Sequence, residues 1–360
     1  MPEYDPVEVM RDLRDALVAS AHVVTDNFGK SLRDLNPEYK PGSSTSVRTV
    51  IDTYAQAAMK AHLQGLPYSS DIVFNLEEDD VDDEAQMAGK LLVFGDPFDG
   101  TANAQPRLPL STQGLMAAEG DEFIAAACLH PFEKCVLYGT ADGKVYRSRL
   151  VQDSQGRFYP IEGTEVELPH LADTYAELLA KRHMLMPYID AYFTPLNFCG
   201  ERKAQWTALA METFSDGWGG RFHVNMFPRM MGSNIDACMK LAEGRLHVQL
   251  TDAVGGTYDV AANEVFLPAL GGVMTDLDGN PLRVPKTPAE MKRPSQQILV
   301  ASIHPDLHGD ALAVSRRCYG PDAEVFVPRL GKTVRVGSYP GFATWDPEQK
   351  AIFDRVRSES

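Results

Sequence analysis

Met10, Leu13, Leu17, Ala21, Val24 and Phe28 recur at three- and four-residue spacing, which makes one apolar stripe along an amphipathic helix. Its start is legible. Asp5 can accept from the first free amides, Pro6 fits the first helical position, and Glu8 completes a capping box. Lys40-Pro41-Gly42-Ser43-Ser44 breaks the pattern as a loop, and residues 52–63 read as a second helix closed by Gly65 and Pro67. The period then changes. Ile72-Val73-Phe74-Asn75-Leu76 and Leu91-Leu92-Val93-Phe94 are apolar runs of strand length, with an acidic loop at 77–84 between them. Residues 122–129 and 135–138 are further strands, and Ala141-Asp142-Gly143-Lys144 turns into Val145-Tyr146. Residues 171–183, 202–214 and 233–243 read as helices, the last stopped by Gly244 and followed by a strand at 246–250. Gly271-Gly272-Val273-Met274-Thr275 leads into the tight turn Leu277-Asp278-Gly279-Asn280. Helices and strands alternate without an internal repeat, so the class is mixed α and β.

Composition narrows the functional classes. The chain has 360 residues, 44% of them hydrophobic and 23% charged, and at roughly 150 residues per domain it forms one large or two fused units. Fifty acids against 34 bases leave a formal charge of -16, which argues against a nucleic-acid or anionic-membrane binder, since both need a basic face. Cys128, Cys135, Cys199, Cys238 and Cys318 are scattered without a C-x-x-C pair and read as reduced thiols. The charged opening MPEYDPVEVMRDLRDAL is unlike a secretion signal, and no run approaches the about 18 apolar residues of a membrane span. A soluble, cytoplasmic protein is expected.

The most informative stretch is Leu91-Leu92-Val93-Phe94-Gly95-Asp96-Pro97-Phe98-Asp99-Gly100-Thr101-Ala102-Asn103. An apolar strand delivers two carboxylates three positions apart, followed at once by a glycine and a hydroxyl. Pro97 stiffens the turn so that Asp96 and Asp99 can point to one place, and Gly100 lets a ligand approach the backbone. Carboxylates with a backbone carbonyl are the hard oxygen ligands Mg²⁺ prefers, and free amides at a helix start suit a phosphate. An isolated D-x-x-D-G-T also reads as a capped strand-to-helix turn. Far away, Thr257-Tyr258-Asp259-Val260-Ala261-Ala262 puts Asp259 at the head of an alanine-rich segment, where N-cap and ligand are both open. Leu76-Glu77-Glu78 again ends a strand in acids; a solvated loop accounts for the acids of 79–84 better than for Glu77.

DPFDGTAN at 96–103, YDVAA at 258–262, ALGG at 269–272, and the weaker pieces Thr49-Val50-Ile51-Asp52, Leu76-Glu77-Glu78 and Arg229-Met230-Met231-Gly232-Ser233 stand together in one chain. In kind and order they resemble the inositol monophosphatase family, Mg²⁺-dependent, Li⁺-sensitive phosphomonoesterases that include bisphosphate nucleotidases and relatives of fructose-1,6-bisphosphatase. The resemblance implies a layered αβαβα sugar-phosphatase fold, mixed α+β and α/β. Residues 1–200 would be an N-terminal α+β part carrying the metal loop, with about 147–200 an unassigned extended segment. Residues 201–305 would be the C-terminal α/β part and 306–360 an extension. Glu77, Asp96, Asp99 and Asp259 would be metal carboxylates for two or three Mg²⁺, with the Phe98 carbonyl as a further ligand and Asp96 as a bridge. Thr101, with Asp52 behind it and Glu77 beside it, would orient and deprotonate the attacking water. The amides of Gly100 and Thr101 would hold phosphate oxygens, and Ser233, Asn234 and Asp252 would line the substrate side. The implied activity is hydrolysis of a small sugar or cyclitol phosphate by direct in-line attack of a metal-activated water, in a homodimer with no nucleic-acid or membrane partner.

Charge supports that chemistry independently. Glu77, Asp96, Asp99, Asp259 and Asp52 would gather about five negative charges, and a phosphate monoester brings nearly two more, so cations are needed to reverse the sign. Some positions depart from the family pattern. Tyr258 replaces the usual tryptophan, Ala269-Leu270 stands where Glu-Ala usually precedes the two glycines, and Asn263 sits where small residues are common. Asn234 is bulkier and more polar than the alanine of inositol-specific members, which turns the expectation away from inositol 1-phosphate. A 3′,5′-bisphosphate nucleotide or a sugar bisphosphate is the alternative substrate, with Arg229, Arg221 or Lys203 for its second group; a non-catalytic scaffold is the other class. The spacing of Asp96 and Asp99 differs from the D-x-D-G-T of haloacid-dehalogenase phosphatases. His130, before Pro131, reads as a strand-end residue.

Overall fold

Helix α1 (Pro6–Asn27) has the N-cap and first-turn proline that the sequence indicates: Asp5 accepts the Val7 N–H at 3.0 Å, and Pro6 fills the first turn, where no amide partner is needed. These are coordinates of a computed structural model, which describes residues 4–39, 47–78, 87–104, 108–181, 188–193, 225–229, 233–252, 257–287, 290, 298–319, 324–327 and 332–335. The helix expected at 202–214, the loop at 40–44, the acids of 79–84, and Lys203, Arg221 and Met230 to Gly232 lie outside the described residues. A short α2 (Leu32–Leu35) and the strand pair β1 (Glu38–Tyr39) and β2 (Val47–Arg48) lead to α3 (Val50–Gln64). Here a capping box forms: Thr49 Oγ1 accepts the Ile51 N–H at 3.2 Å, and Asp52 Oδ2 accepts the Thr49 N–H at 2.6 Å.

The first sheet begins with β3 (Ile72–Leu76), parallel to β4 (Leu91–Asp99). It continues antiparallel through β5 (Thr112–Glu119), β6 (Glu122–His130), β7 (Cys135–Thr140) and β8 (Val145–Gln152). β9 (Phe158–Pro160) and β10 (Val166–Glu167) both pair with the outer edge of β8. One turn of helix, α4 (Thr101–Ala104), follows β4, and α5 (Leu171–Lys181) follows β10. The second sheet holds β11 (Tyr188–Phe193) and β12 (Asn225–Arg229), then, after α6 (Asn234–Ala242), β13 (Val248–Asp252). After α7 (Ala262–Leu270) it is completed by β14 (Val273–Asp276) and β15 (Ile298–Ser302), in the order β12-β11-β13-β15-β14. Strand β11 thus joins this sheet upstream of residue 201, where the sequence reading opened the C-terminal part. Helix α8 (Pro305–Tyr319) and the hairpin of β16 (Glu324–Val327) and β17 (Lys332–Arg335) follow.

β4 explains the layering. Its residues are all buried, and they alternate between two cores: Leu91 and Val93 pack with Leu13 and Leu17 of α1 and Met59 of α3, while Leu92 and Phe94 pack with Ile235 of α6 and Phe266 of α7. Helices α6 and α7 also touch the second sheet, and α8 packs on that sheet without α1 or α3. The order is helix, sheet, helix, sheet, helix, the expected αβαβα arrangement. The run read as a strand at 91–94 continues to Asp99, and β5 was not anticipated; its Thr-Gln-Gly-Leu-Met-Ala-Ala-Glu sequence has Thr112 alone of the β-branched and aromatic residues that mark strands.

Candidate metal centre

The ladder between β4 and β5 pairs Asp96 with Gly114 and then Asp99 with Thr112, so β4 carries a bulge at Pro97-Phe98. Proline suits it, since a bulged residue gives no ladder N–H. Three contacts fix the bulge. The Phe98 N–H donates to Asp96 Oδ1 at 2.8 Å, Gln113 Nε2 donates to the Pro97 carbonyl at 3.0 Å, and the Phe98 ring is buried against Val24, Leu35, Ile51 and Ala55. Gln113 Nε2 also reaches Ser20 Oγ of α1 at 3.1 Å. Gly100 then takes φ +87°, a left-handed conformation that turns the chain into α4.

Asp99 is met by the start of α6. Its Oδ2 accepts the Ile235 N–H at 2.6 Å and the Ser233 hydroxyl at 2.8 Å, both from the end of the helix where free amides and the dipole favour an anion. Ser233 is the N-cap of that helix; its Oγ accepts the Asp236 N–H at 3.0 Å and lies 2.7 Å from Thr112 Oγ1. Gly114 permits the approach: a Cβ there would come within 2.7 Å of the Ile235 side chain. Burial pushes the Asp99 carboxyl up to about 7, against the two hydrogen bonds and with help from Glu77 and Asp236. Asp259 ends a short 3₁₀ turn (Thr257–Asp259), and Asn234 Nδ2 donates to its Oδ2 at 3.5 Å. Asp96, Asp99 and Asp259 are all buried, and each offers an oxygen within 4.8 Å of the others.

A second group of acids lies beside them. Asp52 is fully buried in the capping box of α3, its Oδ2 taken by Thr49. Its Oδ1 lies 2.8 Å from Thr101 Oγ1, which is also 3.1 Å from the Phe98 carbonyl, so one hydroxyl proton serves two acceptors. Burial raises the Asp52 carboxyl to about 7; hydrogen bonds from Thr49 and Thr101 oppose this, and Glu77 adds to it. Glu77 and Glu78 follow β3, half-buried, with the Glu78 N–H on Gln56 Oε1 at 3.1 Å and Arg48 Nη1 3.9 Å from Glu78 Oε2. Asp52, Glu77 and Glu78 also bring oxygens within 4.8 Å of one another. Both groups face Tyr258, whose phenol burial, then Glu77, Asp259, Asp96 and Glu78, hold well above its ordinary range.

Most of the residues singled out by sequence therefore converge: Asp52, Glu77, Asp96, Phe98, Asp99, Thr101, Ser233, Asn234 and Asp259. Glu78 and Gln113 were given no role beforehand. Glu78 stood in the quoted motif and shares Glu77's strand end, whereas Gln113 carries no signal apart from the register of β5. Asp252 closes β13 and Arg229 closes β12, but their side chains lie outside the described ones. His130 closes β6, with Nδ1 accepting the Glu133 N–H at 3.1 Å. The donor set suits a hard divalent cation: carboxylate oxygens from two remote segments, buried together, with Asp99 raised in its affinity for a proton that a cation would displace.

No protein-family model matches the sequence, and no curated protein matches it. Solved structures do match the fold. Extragenic suppressor protein suhB from Bartonella henselae is 13% identical, with 85% of this chain and 98% of that chain covered and a TM-score of 0.57. SuhB from Mycobacterium tuberculosis is 16% identical over 88% of this chain and 99% of its own, at a TM-score of 0.56. An IMPase/NADP phosphatase complexed with NADP and Ca²⁺ is 16% identical over 87% and 96%, also at 0.56. Many of the solved structures that resemble this chain are inositol monophosphatase or SuhB proteins, and the chain has their fold. Among the described residues, no helix is long and apolar enough to cross a membrane.

Proposed function

We propose that this chain is a Mg²⁺-dependent phosphomonoesterase that hydrolyses a small sugar or cyclitol phosphate. The observation that carries the reading is the convergence of Asp96, Asp99 and Asp259 beside the Asp52–Thr101 pair. Glu77, Asp96, Asp99, Asp259 and the Phe98 carbonyl are the groups that would hold magnesium, two or three ions in all. Bound magnesium would offset the charge of the acids and of the phosphate and make water a stronger nucleophile. The chain's own part is proton handling and alignment. Thr101 Oγ1 receives a proton from the attacking water and passes its own to Asp52 Oδ1, 2.8 Å away. Buried and raised to about 7, Asp52 has the proton affinity that a base working near neutrality needs. The amides of Gly100 and Thr101 hold phosphate oxygens, and Asp252 meets the hydroxyls of the leaving alcohol. Water attacks in line, and no aspartyl-phosphate forms.

A homodimer in the cytoplasm is the expected setting. The test is release of inorganic phosphate from a panel of sugar phosphates, cyclitol phosphates, 3′,5′-bisphosphate nucleotides, sugar bisphosphates and NADP, with and without Mg²⁺. NADP belongs in the panel because a protein of this fold was solved with it. Turnover that survives a chelator would refute the metal-dependent mechanism, and no turnover on any ester would favour the scaffold reading.

A further inference from the structure

The first turn of α6 serves two acids from remote parts of the chain. Ser233 and Ile235 take Asp99, and Asn234, between them, reaches Asp259. Asn234 is itself held from behind. Its Oδ1 accepts the Thr251 hydroxyl at 3.2 Å, and its backbone carbonyl accepts Gln249 Nε2 at 3.4 Å. Gln249 Oε1 in turn accepts Asn263 Nδ2 at 2.9 Å, and Cys238 Sγ lies 3.7 Å from the same oxygen. Asn234, Cys238, Gln249, Thr251 and Asn263 are all buried.

Buried amides are costly unless bonded, so this row of polar groups behind one carboxylate constrains the conformation. An ionised Asp259 carboxylate can only accept, so the Asn234 nitrogen faces it and the amide oxygen is left to the Thr251 hydroxyl. A donor held from behind in this way limits the rotation of the carboxylate it meets.

We propose that Asn234 is a positioning residue for Asp259, setting the affinity of the centre for a divalent cation through Asp259 without contacting the substrate. The proposal rests on the metal-dependent reading above. The test is calorimetric titration of the full chain with Mn²⁺, comparing the unaltered protein with Asn234→Ala, Thr251→Val and Asp96→Asn, each first melted without metal. Asn234→Ala should weaken Mn²⁺ binding about tenfold, the range for loss of a group behind a metal ligand. Thr251→Val should weaken it by a smaller factor, and the metal-free melts separate the stability that either variant loses with its buried bond from the change in affinity. At saturating Mn²⁺ the KM for a phosphate ester should not change. Unchanged Mn²⁺ affinity in Asn234→Ala, or an effect confined to KM, overturns the proposal. Should Asn234→Ala fail to fold, unchanged affinity in Thr251→Val overturns it instead. If the unaltered protein and Asp96→Asn bind Mn²⁺ alike, the metal centre itself is refuted; weak binding by Asp96→Asn alone, beside a normal Asn234→Ala, refutes only the role of Asn234.

Discussion

The two groups of acids are built by opposite means. Asp96, Asp99 and Asp259 are buried, and their positions are set by a strand bulge and by the start of α6. In the other group Asp52 is buried and the Glu78 side chain nearly so, while Glu77 stands half-buried at the end of β3. The first is a cage whose ligands are held by contacts within the protein, and the second has a rigid wall at Asp52 and an accessible side at Glu77. In the proposed reaction this is a division of labour, with most of the cation's ligands in the cage and, on the other side, Glu77 as a further ligand beside Thr101, where water and ester would enter.

The largest expected effect breaks the cage. Asp96→Asn keeps the side chain's size and its carbonyl oxygen for the Phe98 N–H, but removes the charge that would bridge two ions. Mg²⁺-dependent turnover should fall well beyond the about 100-fold that follows loss of a supporting partner. The circular dichroism spectrum should be unchanged. Phosphate release at the normal rate would remove the cage from the mechanism.

Thr101→Val should act on the open side alone. It deletes the hydroxyl 2.8 Å from Asp52 Oδ1 and leaves the carboxylates of the cage in place. Loss of a proton-transfer group lowers kcat by about 10²–10⁴-fold, and Mn²⁺ affinity measured by calorimetry should stay within a small factor of the original. If the variant instead loses the ion and keeps its kcat at saturating metal, the division of labour is wrong.

Ser233→Ala makes a smaller change inside the cage. The hydroxyl is at once the N-cap of α6 and a donor to Asp99. Two readouts should therefore move together: stability to urea by about 1 kcal/mol, the usual loss for a cap, and cation affinity by about tenfold. A change in stability without any change in affinity would separate the cap from the centre.

These residues also mark what a sequence can reveal. Asp96, Asp99 and Thr101 were legible because one strand and its turn deliver them locally, and the buried alternation of β4 is written in Leu91-Leu92-Val93-Phe94. The convergence of Asp259 and Asp52 on them came only through the likeness of ordered motifs, since no local rule brings residues so far apart together. Gln113 and Asn234 were not legible in their structural roles. Gln113 lies in a strand with one β-branched residue and no aromatic one, and its contact with Pro97 exists only because of the bulge opposite. Asn234 was assigned to the substrate side, but its bonds to Asp259 and Thr251 depend on the packing of α6 against the second sheet.

The smallest expected effect comes from a buried acid that belongs to neither group. Glu264, on α7, accepts the Leu282 N–H at 2.8 Å, and burial raises its carboxyl to about 7 against that one bond. Its ordinary value is 4.5, so between that pH and about 7 the folded protein keeps a proton that the unfolded chain releases. Stability from this group is therefore fully present below the unfolded pKa and is lost as pH rises toward 7. Glu264→Gln retains an acceptor for Leu282 and cannot ionise, so its melting temperature should gain on that of the unaltered protein from pH 5 to pH 7 and hold a constant lead above. Because burial and the Leu282 N–H account for the Glu264 shift, with no contribution from either acid group, Mg²⁺ should leave this difference unchanged while raising both melting temperatures. Parallel pH curves for the two proteins would show that Glu264 is not protonated in the fold. A difference that Mg²⁺ abolishes would join Glu264 to the centre, and burial alone would no longer distinguish the cage from the rest of the core.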